Sequence, residues 1–546
     1  MKEFTPMLVT TLKGYKGGQL VKDIVAGIIV AIIALPLSIA LAIASGVGPE
    51  EGLYTAIIAG ALISIFGGSK VQIAGPTAAF ATIVAGVVAA NGMEGLMLAT
   101  VMAGIFLVLM GIFKFGSLIK FIPYTITTGF TAGIAVTILI GQLKDFFGVN
   151  FGGASPIEAP EKVAVFFENI STLNWWAVLV GVVSLLILIL WPKISKKIPA
   201  SLIAVIVGAV MVALLPESTG VQTIKTTFGE LSSKFPSLNL PKMDLKLIRT
   251  VLPDAFTIAV LAAIESLLSC VVADGMIGSK HRSNMELIAQ GIGNMIIPLM
   301  GGVPATAAIA RTSVAVKNGG QTRITSIMQS VFLIICMFAL PSVIAVVPYA
   351  VLAGILFVTA WKMNEWEAIR KYFSKKMWDA ILMFLVTMVA TVLLDLTYAI
   401  IIGVGLSFIL MILNTKIEID YSEVTEHNED ADKKVLLVYS TGSLFFANAG
   451  ELEKLVKKNT NDNEKIVFVF RGITYLDVSS IDVLTELVEE LRESGKEVVF
   501  TGVRERIMHQ MRRSGFTEMV GEDNFYHSLD KLLLSGDGSA KYRSKY

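Results

Sequence analysis

Charge is scarce in this sequence: only 16% of its 546 residues are Asp, Glu, Lys or Arg, and they nearly cancel to a net +1. Without a basic excess the chain has no electrostatic hold on nucleic acid, and its lysines and arginines lie in loops between apolar runs rather than in one patch. Cysteine is scarcer still. Cys270 and Cys336 fall inside apolar runs, where they read as small packing residues and not as a disulfide or a metal pair. A cleavable leader is also missing from the pattern: Lys2, Lys13, Lys16 and Lys22 run directly into an apolar stretch at Ile24, which is expected to stay as an anchor.

What the chain has in abundance is apolar length. Hydrophobic residues make up 54% of it and the mean hydropathy is +0.70, more than a soluble protein of this size needs. From residue 24 to 414 apolar runs of spanning length follow one another, and fourteen segments are read there. The third, 76–90, and the tenth, 305–316, are too short to cross a hydrocarbon core of about 30 Å as helix alone, so extended chain must complete them. After residue 414 charges crowd in. The expected organisation is therefore an N-terminal cytoplasmic segment 1–23, a membrane domain 24–414, an acidic linker 415–433, a small α/β domain 434–535 and a polar tail 536–546.

Placing the N-terminus in the cytoplasm and alternating sides puts Lys114, Lys120, Lys193, Lys280, Lys317, Arg323, Arg370 and Lys375 in inside loops, as the positive-inside rule asks. Both termini then lie inside. Three pairs of motifs recur at nearly one offset: Gly67-Gly68 with Gly301-Gly302, Pro76 with Pro304 (304 − 76 = 228) and Pro123 with Pro348 (348 − 123 = 225). A repeat of seven spans is odd, so the second copy must enter the membrane from the opposite side. That is an inverted repeat, an arrangement that puts a substrate site near the midplane.

In Gly75-Pro76-Thr77-Ala78-Ala79-Phe80 and Val303-Pro304-Ala305-Thr306-Ala307-Ala308, proline and small residues open a short helix and leave its first amides uncovered. A helix N-terminus carries roughly half a positive charge, so two of them facing each other at mid-membrane attract an anion. Glu265, in the middle of the eighth span, is too costly to leave ionised in lipid and is expected to face the interior. Two roles remain open for it: protonated, it would couple anion entry to proton entry, and ionised, it would hold sodium with the Ser269 hydroxyl one turn away. Arg311 is expected to add positive charge behind the amides of Ala307 and Ala308, to pair with Glu265, or to reach the cytoplasmic face near Lys317. Phe80 is expected either to face the same cavity or to pack.

The C-terminal part reads as strands at 435–439, 443–446, 466–470 and 497–500 with helices at 449–458, 479–494 and 504–514. Asp477 is placed to cap a helix, and Ser479 beside it is a candidate regulatory phosphate or anion contact. It holds no nucleophile–base pair, phosphate loop or metal cluster, so no enzyme activity is expected.

These residues together resemble the SulP anion transporters, relatives of the mammalian motor protein prestin. The likeness is carried by Ala34-Leu35-Pro36-Leu37-Ser38, Gly52-Leu53-Tyr54, Ala74-Gly75-Pro76-Thr77-Ala78-Ala79, Glu265-Ser266-Leu267-Leu268 and Ala305-Thr306-Ala307-Ala308-Ile309-Ala310-Arg311. It implies an α-helical polytopic membrane protein whose fourteen transmembrane segments form a seven-plus-seven inverted repeat with core and gate domains. It also implies an elevator-like mechanism, a homodimer and a cytoplasmic α/β STAS domain like the anti-sigma-factor antagonists, able to bind a regulatory protein or nucleotide. By the same resemblance the substrate lies at Ala78, Ala79, Phe80, Ala307, Ala308 and Ile309, with Glu265 at the acidic coupling position. Sodium-coupled bicarbonate members have aspartate and, four residues on, threonine where this chain has Glu265 and Ser269, which tilts the expected coupling ion toward the proton. The expected protein is a proton-coupled importer of sulfate-like anions or C4-dicarboxylates in a bacterial inner membrane, with no cofactor or metal. The rivals are sodium-coupled bicarbonate uptake, an anion channel and a non-transporting STAS scaffold.

Overall fold

The computed structural model describes residues 4–116, 123–153, 155–195, 198–232, 236–241, 244–394, 396–414, 418–427, 432–445, 448–460 and 463–529. The chain divides into two compact units, Met1–Gly405 and Leu406–Tyr546.

The first unit is an α-helical polytopic membrane fold. Among the described residues six helices are long and apolar enough to cross a membrane: Gly17–Ala44, Pro49–Phe66, Ala78–Ile112, Tyr124–Phe147, Trp175–Ile194 and Leu245–Ile277. Ala78–Ile112 holds both the third and the fourth expected spans, parted by Gly92, whose φ of +67° interrupts the helix as only glycine does cheaply. Shorter apolar helices follow at Ala200–Leu214, Ile324–Ala339, Tyr349–Met363, Trp378–Leu393 and Ile401–Leu410, and Ser283–Ile296 and Ile309–Lys317 complete the fourteen. The Leu245–Ile277 helix starts nine residues before the expected 254, because Asp244 accepts the Lys246 N–H at 3.0 Å and caps it.

Helices that carry glycine at their crossings come together closely enough to replace hydrophobic drive by contact. A Cβ on Gly52 would stand 2.2 Å from the Ser38 carbonyl oxygen, and one on Gly291 would stand 2.6 Å from that of Gly104. Around these crossings pack the helices Gly17–Ala44, Pro49–Phe66, Ala81–Ile112, Leu245–Ile277, Ser283–Ile296 and Ile324–Ala339. A second group is built on Tyr124–Gly141, Trp175–Ile194, Ala200–Leu214, Tyr349–Met363 and Trp378–Leu393, with Gly129 lying against the Phe384 backbone.

The repeat is visible in the backbone. Pro123 and Pro348 each precede a helix, at Tyr124 and Tyr349. Gly67 and Gly301 each close one, before an extended stretch. Those stretches form two short strands, β1 (Ala74–Gly75) and β2 (Thr306–Ala307), paired antiparallel with Ala74 opposite Ala307 and Gly75 opposite Thr306. Antiparallel pairing is what a two-fold axis between the copies produces.

The second unit is an α/β domain with one five-stranded sheet. Its strands β3 (Glu418–His427), β4 (Asp432–Leu444), β5 (Lys465–Leu476), β6 (Glu497–Thr501) and β7 (Phe525–Tyr526) run side by side in that order, antiparallel between the first two and parallel thereafter. Helices Ala449–Asn459, Val478–Glu493 and Glu505–Arg513 bury Leu452, Leu484, Val488 and Met508 against Phe468 and Phe500. The two strands expected at 435–439 and 443–446 are one, β4. A larger correction concerns the segment 415–433: its residues 418–427 are not linker but strand β3, since Glu418 to His427 pair register by register with Thr441 to Asp432. Edge strands tolerate charge because one side meets water, which is why acidic composition misled the reading. The tail 536–546 lies outside the described residues.

Candidate functional site

Extended chain inside a membrane must find partners for its backbone, and here side chains of the neighbouring helices supply them. Asn294, on Ser283–Ile296, accepts from the Ala305 N–H at 2.8 Å and donates to the Ala305 carbonyl at 2.8 Å. The Thr55 hydroxyl accepts from the Val303 N–H at 2.7 Å. With both its backbone groups taken, Ala305 cannot join a helix. The tenth-span helix consequently begins at Ile309 instead of 305, and Pro304 is not in its first turn.

The first half is held in the same way. Glu286 accepts from the amides of Gly68 (2.8 Å) and Ser69 (3.2 Å) and pairs with Arg323, which also donates to the Ser69 carbonyl (2.7 Å) and to Gln72 (3.1 Å). Arg323 is 1% exposed, so it is a buried partner and not the loop cation that the charge pattern suggested. Gln72 donates onward to the Ser266 carbonyl at 2.9 Å, and the Ile73 amide donates to the Thr312 hydroxyl at 3.0 Å.

These anchors bring the two half-helix starts together. Ala78, Ala79 and Phe80 form a 3-10 turn that leads into Ala81–Ile112, with Thr77 at its cap. The Phe80 amide is used by the Thr77 carbonyl at 3.2 Å, and its ring is buried in the apolar core. Across from this turn, the Ala308 amide donates to the Ile73 carbonyl at 2.9 Å and Ala307 belongs to β2. The uncapped first-turn amides are therefore those of Ile309, Ala310 and Arg311, displaced from the expected Ala307 and Ala308. Ala78 and Ala79 also border a cavity of about 430 Å3 between Ile83, Ile134, Asp254 and Tyr398, whereas Ala307, Ala308, Ile309 and Glu265 do not line it.

Arg311 does not reach the surface. It is 2% exposed, with Nη2 donating to the Pro76 carbonyl at 2.5 Å, while Nε and Nη1 find no acceptor among the described residues. A Cβ on Gly75 would stand 2.6 Å from Nη1, so glycine there gives the guanidinium its room. Glu265 is half-buried, and its Oε2 accepts from the Thr77 hydroxyl at 2.9 Å; no ion pair joins it to Arg311 among the described residues. Ser269 lies fully buried one turn on and shares a hydroxyl contact of 3.4 Å with Thr312 of the tenth span. Ser266 and Thr306 meet at 2.7 Å, and the Thr306 hydroxyl donates to the Ala262 carbonyl at 3.2 Å. Thr77 and Thr306 lie inside the two proline motifs and Thr312 directly follows Arg311, but the local sequence gives none of the three hydroxyls a partner.

In the second unit Asp477 caps Val478–Glu493, accepting from the Ser480 amide (2.8 Å) and hydroxyl (2.6 Å); Ser479 next to it is exposed.

Residues 20–408 match the profile of the sulfate permease family, and residues 423–532 that of the STAS domain. The chain is 35% identical over 535 residues to the Bacillus subtilis protein YvdB, which carries the name of a sulfate transporter, over 95% of this chain and 98% of that one. The transmembrane domain of the cyanobacterial bicarbonate transporter BicA is 30% identical with a TM-score of 0.61, covering 71% of this chain and 98% of its own. The inward-facing murine solute carrier 26 family member A9, an anion transporter, shares the fold at a TM-score of 0.84 and 18% identity, over 97% of this chain and 93% of its own. With the profile spanning the whole membrane unit and a relative of this similarity along nearly the full length, the chain belongs to the sulfate permease family and carries a C-terminal STAS domain.

Proposed function

We propose that this protein is a secondary active anion transporter, that it takes sulfate-like inorganic anions or C4-dicarboxylates, and that it is driven by protons. The observation that supports the reading is the β1–β2 pair, where the buried Arg311 donates to the Pro76 carbonyl and keeps Nε and Nη1 without an acceptor among the described residues. Donors aimed at one place in a region of low dielectric favour a small anion, and backbone amides select charge more than shape. Ala78, Ala79, Phe80, Ala307, Ala308 and Ile309 surround that place in the proposal, with Arg311 in electrostatic support. Membership of the sulfate permease family supports reading the chain as a transporter.

Glu265 supplies the coupling in this reading. Its carboxylate is tied to the first half-helix through Thr77, so a proton arriving on Glu265 changes the charge beside the bound anion. The hydrogen bonds from Gln72, Thr306 and Thr312 stitch both extended segments to Leu245–Ile277 and Ile309–Lys317, and such a stitched unit moves as one body against the remaining helices. That supports elevator-type alternating access. A homodimer in a bacterial inner membrane, with the N-terminus and the STAS domain in the cytoplasm and a regulatory role for Asp477 and Ser479, completes the proposal. Sodium-coupled bicarbonate uptake is the second reading, favoured by the 30% identity to the transmembrane domain of a bicarbonate transporter.

Uptake into proteoliposomes tests both. Labelled sulfate, fumarate and bicarbonate are offered with an inward proton gradient, an inward sodium gradient or neither, to the unmodified protein and to Glu265→Gln. Proton-driven accumulation of sulfate or fumarate that Glu265→Gln reduces to gradient-independent exchange is the expected result. Accumulation that follows sodium and ignores pH would refute proton coupling, and current without accumulation would identify a channel.

A further inference from the structure

The nine-residue helix Trp366–Ser374 joins two spans, Tyr349–Met363 and Trp378–Leu393, so it lies at the membrane surface. Its inner face packs: Ala368, Ile369 and Tyr372 sit against Ala380, Ile381 and Phe384. Its outer face is a different surface. Lys362, Arg370, Lys371, Lys375 and Lys376 are all exposed, and none of these five cations has an acidic partner among the described residues. Glu367 is the one carboxylate on the helix itself, and Asp379 follows in the next.

Three of the six tryptophans of the chain flank the same helix. Trp361 and Trp366 pack in a tilted arrangement with ring centroids 4.5 Å apart, the Trp366 ring N–H donates to the Trp361 carbonyl at 2.9 Å, and Trp378 is 71% exposed. Exposed indoles, apolar in the ring and polar at the N–H edge, suit the headgroup level of a bilayer. The dipole of the helix favours cations in its last turn, which accounts for Lys371 but not for Lys362 one helix earlier. Lys376 is the more telling residue. It holds φ +50°, a left-handed conformation that glycine adopts more easily, at the point where the Lys376 amide donates to the Phe373 carbonyl and the Met377 amide to that of Tyr372. A lysine in a glycine position keeps a charge at a conformational cost.

We propose that this stripe is a docking site for the phosphate headgroups of anionic phospholipids, with the tryptophans at headgroup level and the cations ranged along the lipid phosphates. The charge complementarity is independent of what the protein transports.

The test uses the full chain in neutral detergent, titrated with phosphatidylglycerol, with phosphatidylcholine, or with inorganic phosphate, and reads retained lipid by native mass spectrometry together with the shift in melting temperature. Phosphatidylglycerol is expected to bind and stabilise, more weakly as salt rises, and phosphatidylcholine is not. Each cation removed should weaken phosphatidylglycerol binding about fivefold, the equivalent of about 1 kcal/mol near an anionic surface, so Lys371→Gln/Lys375→Gln/Lys376→Gly together should lose about a hundredfold. Lys376→Gly alone should lose about fivefold while melting no lower than the unmodified protein, and it decides the matter if the triple variant fails to fold. Equal retention of the two lipids, or unaltered phosphatidylglycerol affinity in the variants, would overturn the proposal; so would inorganic phosphate producing the same stabilisation as the lipid.

Discussion

Replacing Arg311 by methionine separates an anion-binding role from a packing role, because the two predict opposite changes in stability. Methionine has nearly the length of the arginine stem and no charge, and position 311 is 2% exposed. The substitution removes one charge-assisted hydrogen bond, to the Pro76 carbonyl, a loss of about 1.5–3 kcal/mol. It also removes two buried donors, Nε and Nη1, that lack a protein acceptor, and each such group costs the folded state about 1–3 kcal/mol. The balance runs from a loss of about 1 kcal/mol to a gain of about 4.5 kcal/mol and so leans toward a gain, in line with buried charges that are replaced by apolar residues of similar volume. Anion affinity should move the other way: losing charge-assisted bonds of about 1.5–3 kcal/mol weakens it about tenfold to 150-fold. Arg311→Lys, which keeps the charge and loses the planar fork, should fall between. The assay is melting of the purified protein with and without saturating anion, joined to KM for uptake. A methionine variant that melts several degrees lower while its anion-induced shift is unaltered would show that Arg311 is structural, and the anion site would have to be sought elsewhere.

Gly52→Ala should lower stability by about 1–3 kcal/mol or more, since its Cβ would meet the Ser38 carbonyl at 2.2 Å and neither backbone can yield, whereas Gly275→Ala, with nothing within 4 Å, should not; comparable melting of the two variants in detergent would contradict the packing account. Glu286→Gln strands a buried arginine and should cost about 3–5 kcal/mol, of which adding Arg323→Met recovers a large part; a double variant no more stable than the single one would mean that the pair contributes through something other than its charges. Asp477→Ala should cost about 1 kcal/mol and speed hydrogen exchange at the start of the Val478–Glu493 helix in the full chain, and unaltered exchange at Ser479 and Ser480 would rule out the cap.

Much of the fold was legible because spans are a matter of local composition. Apolar runs alone marked all fourteen helices, and the recurrent Pro123 and Pro348 marked two helix starts that the structure places at Tyr124 and Tyr349. Local reading failed where a distant side chain decided the backbone. Ala305 looks like helix by its neighbours and is extended because Asn294 holds both its amide and its carbonyl. Residues 418–427 look like linker by their charge and form a strand because β4 offers a partner. Arg323 looks like a loop cation and is buried because Glu286 meets it.

The amino-acid sequence by itself determined that the chain is a membrane protein with an inverted seven-span repeat and a soluble α/β domain behind it, since run length, period and repeat offset are properties of the chain in one dimension. Only the tertiary structure decided which amides are uncapped, that Arg311 turns inward to Pro76 and that Thr77 is the partner of Glu265. Those contacts join residues 235 and 188 positions apart, a distance over which nothing in the local sequence specifies a partner until the helices have packed.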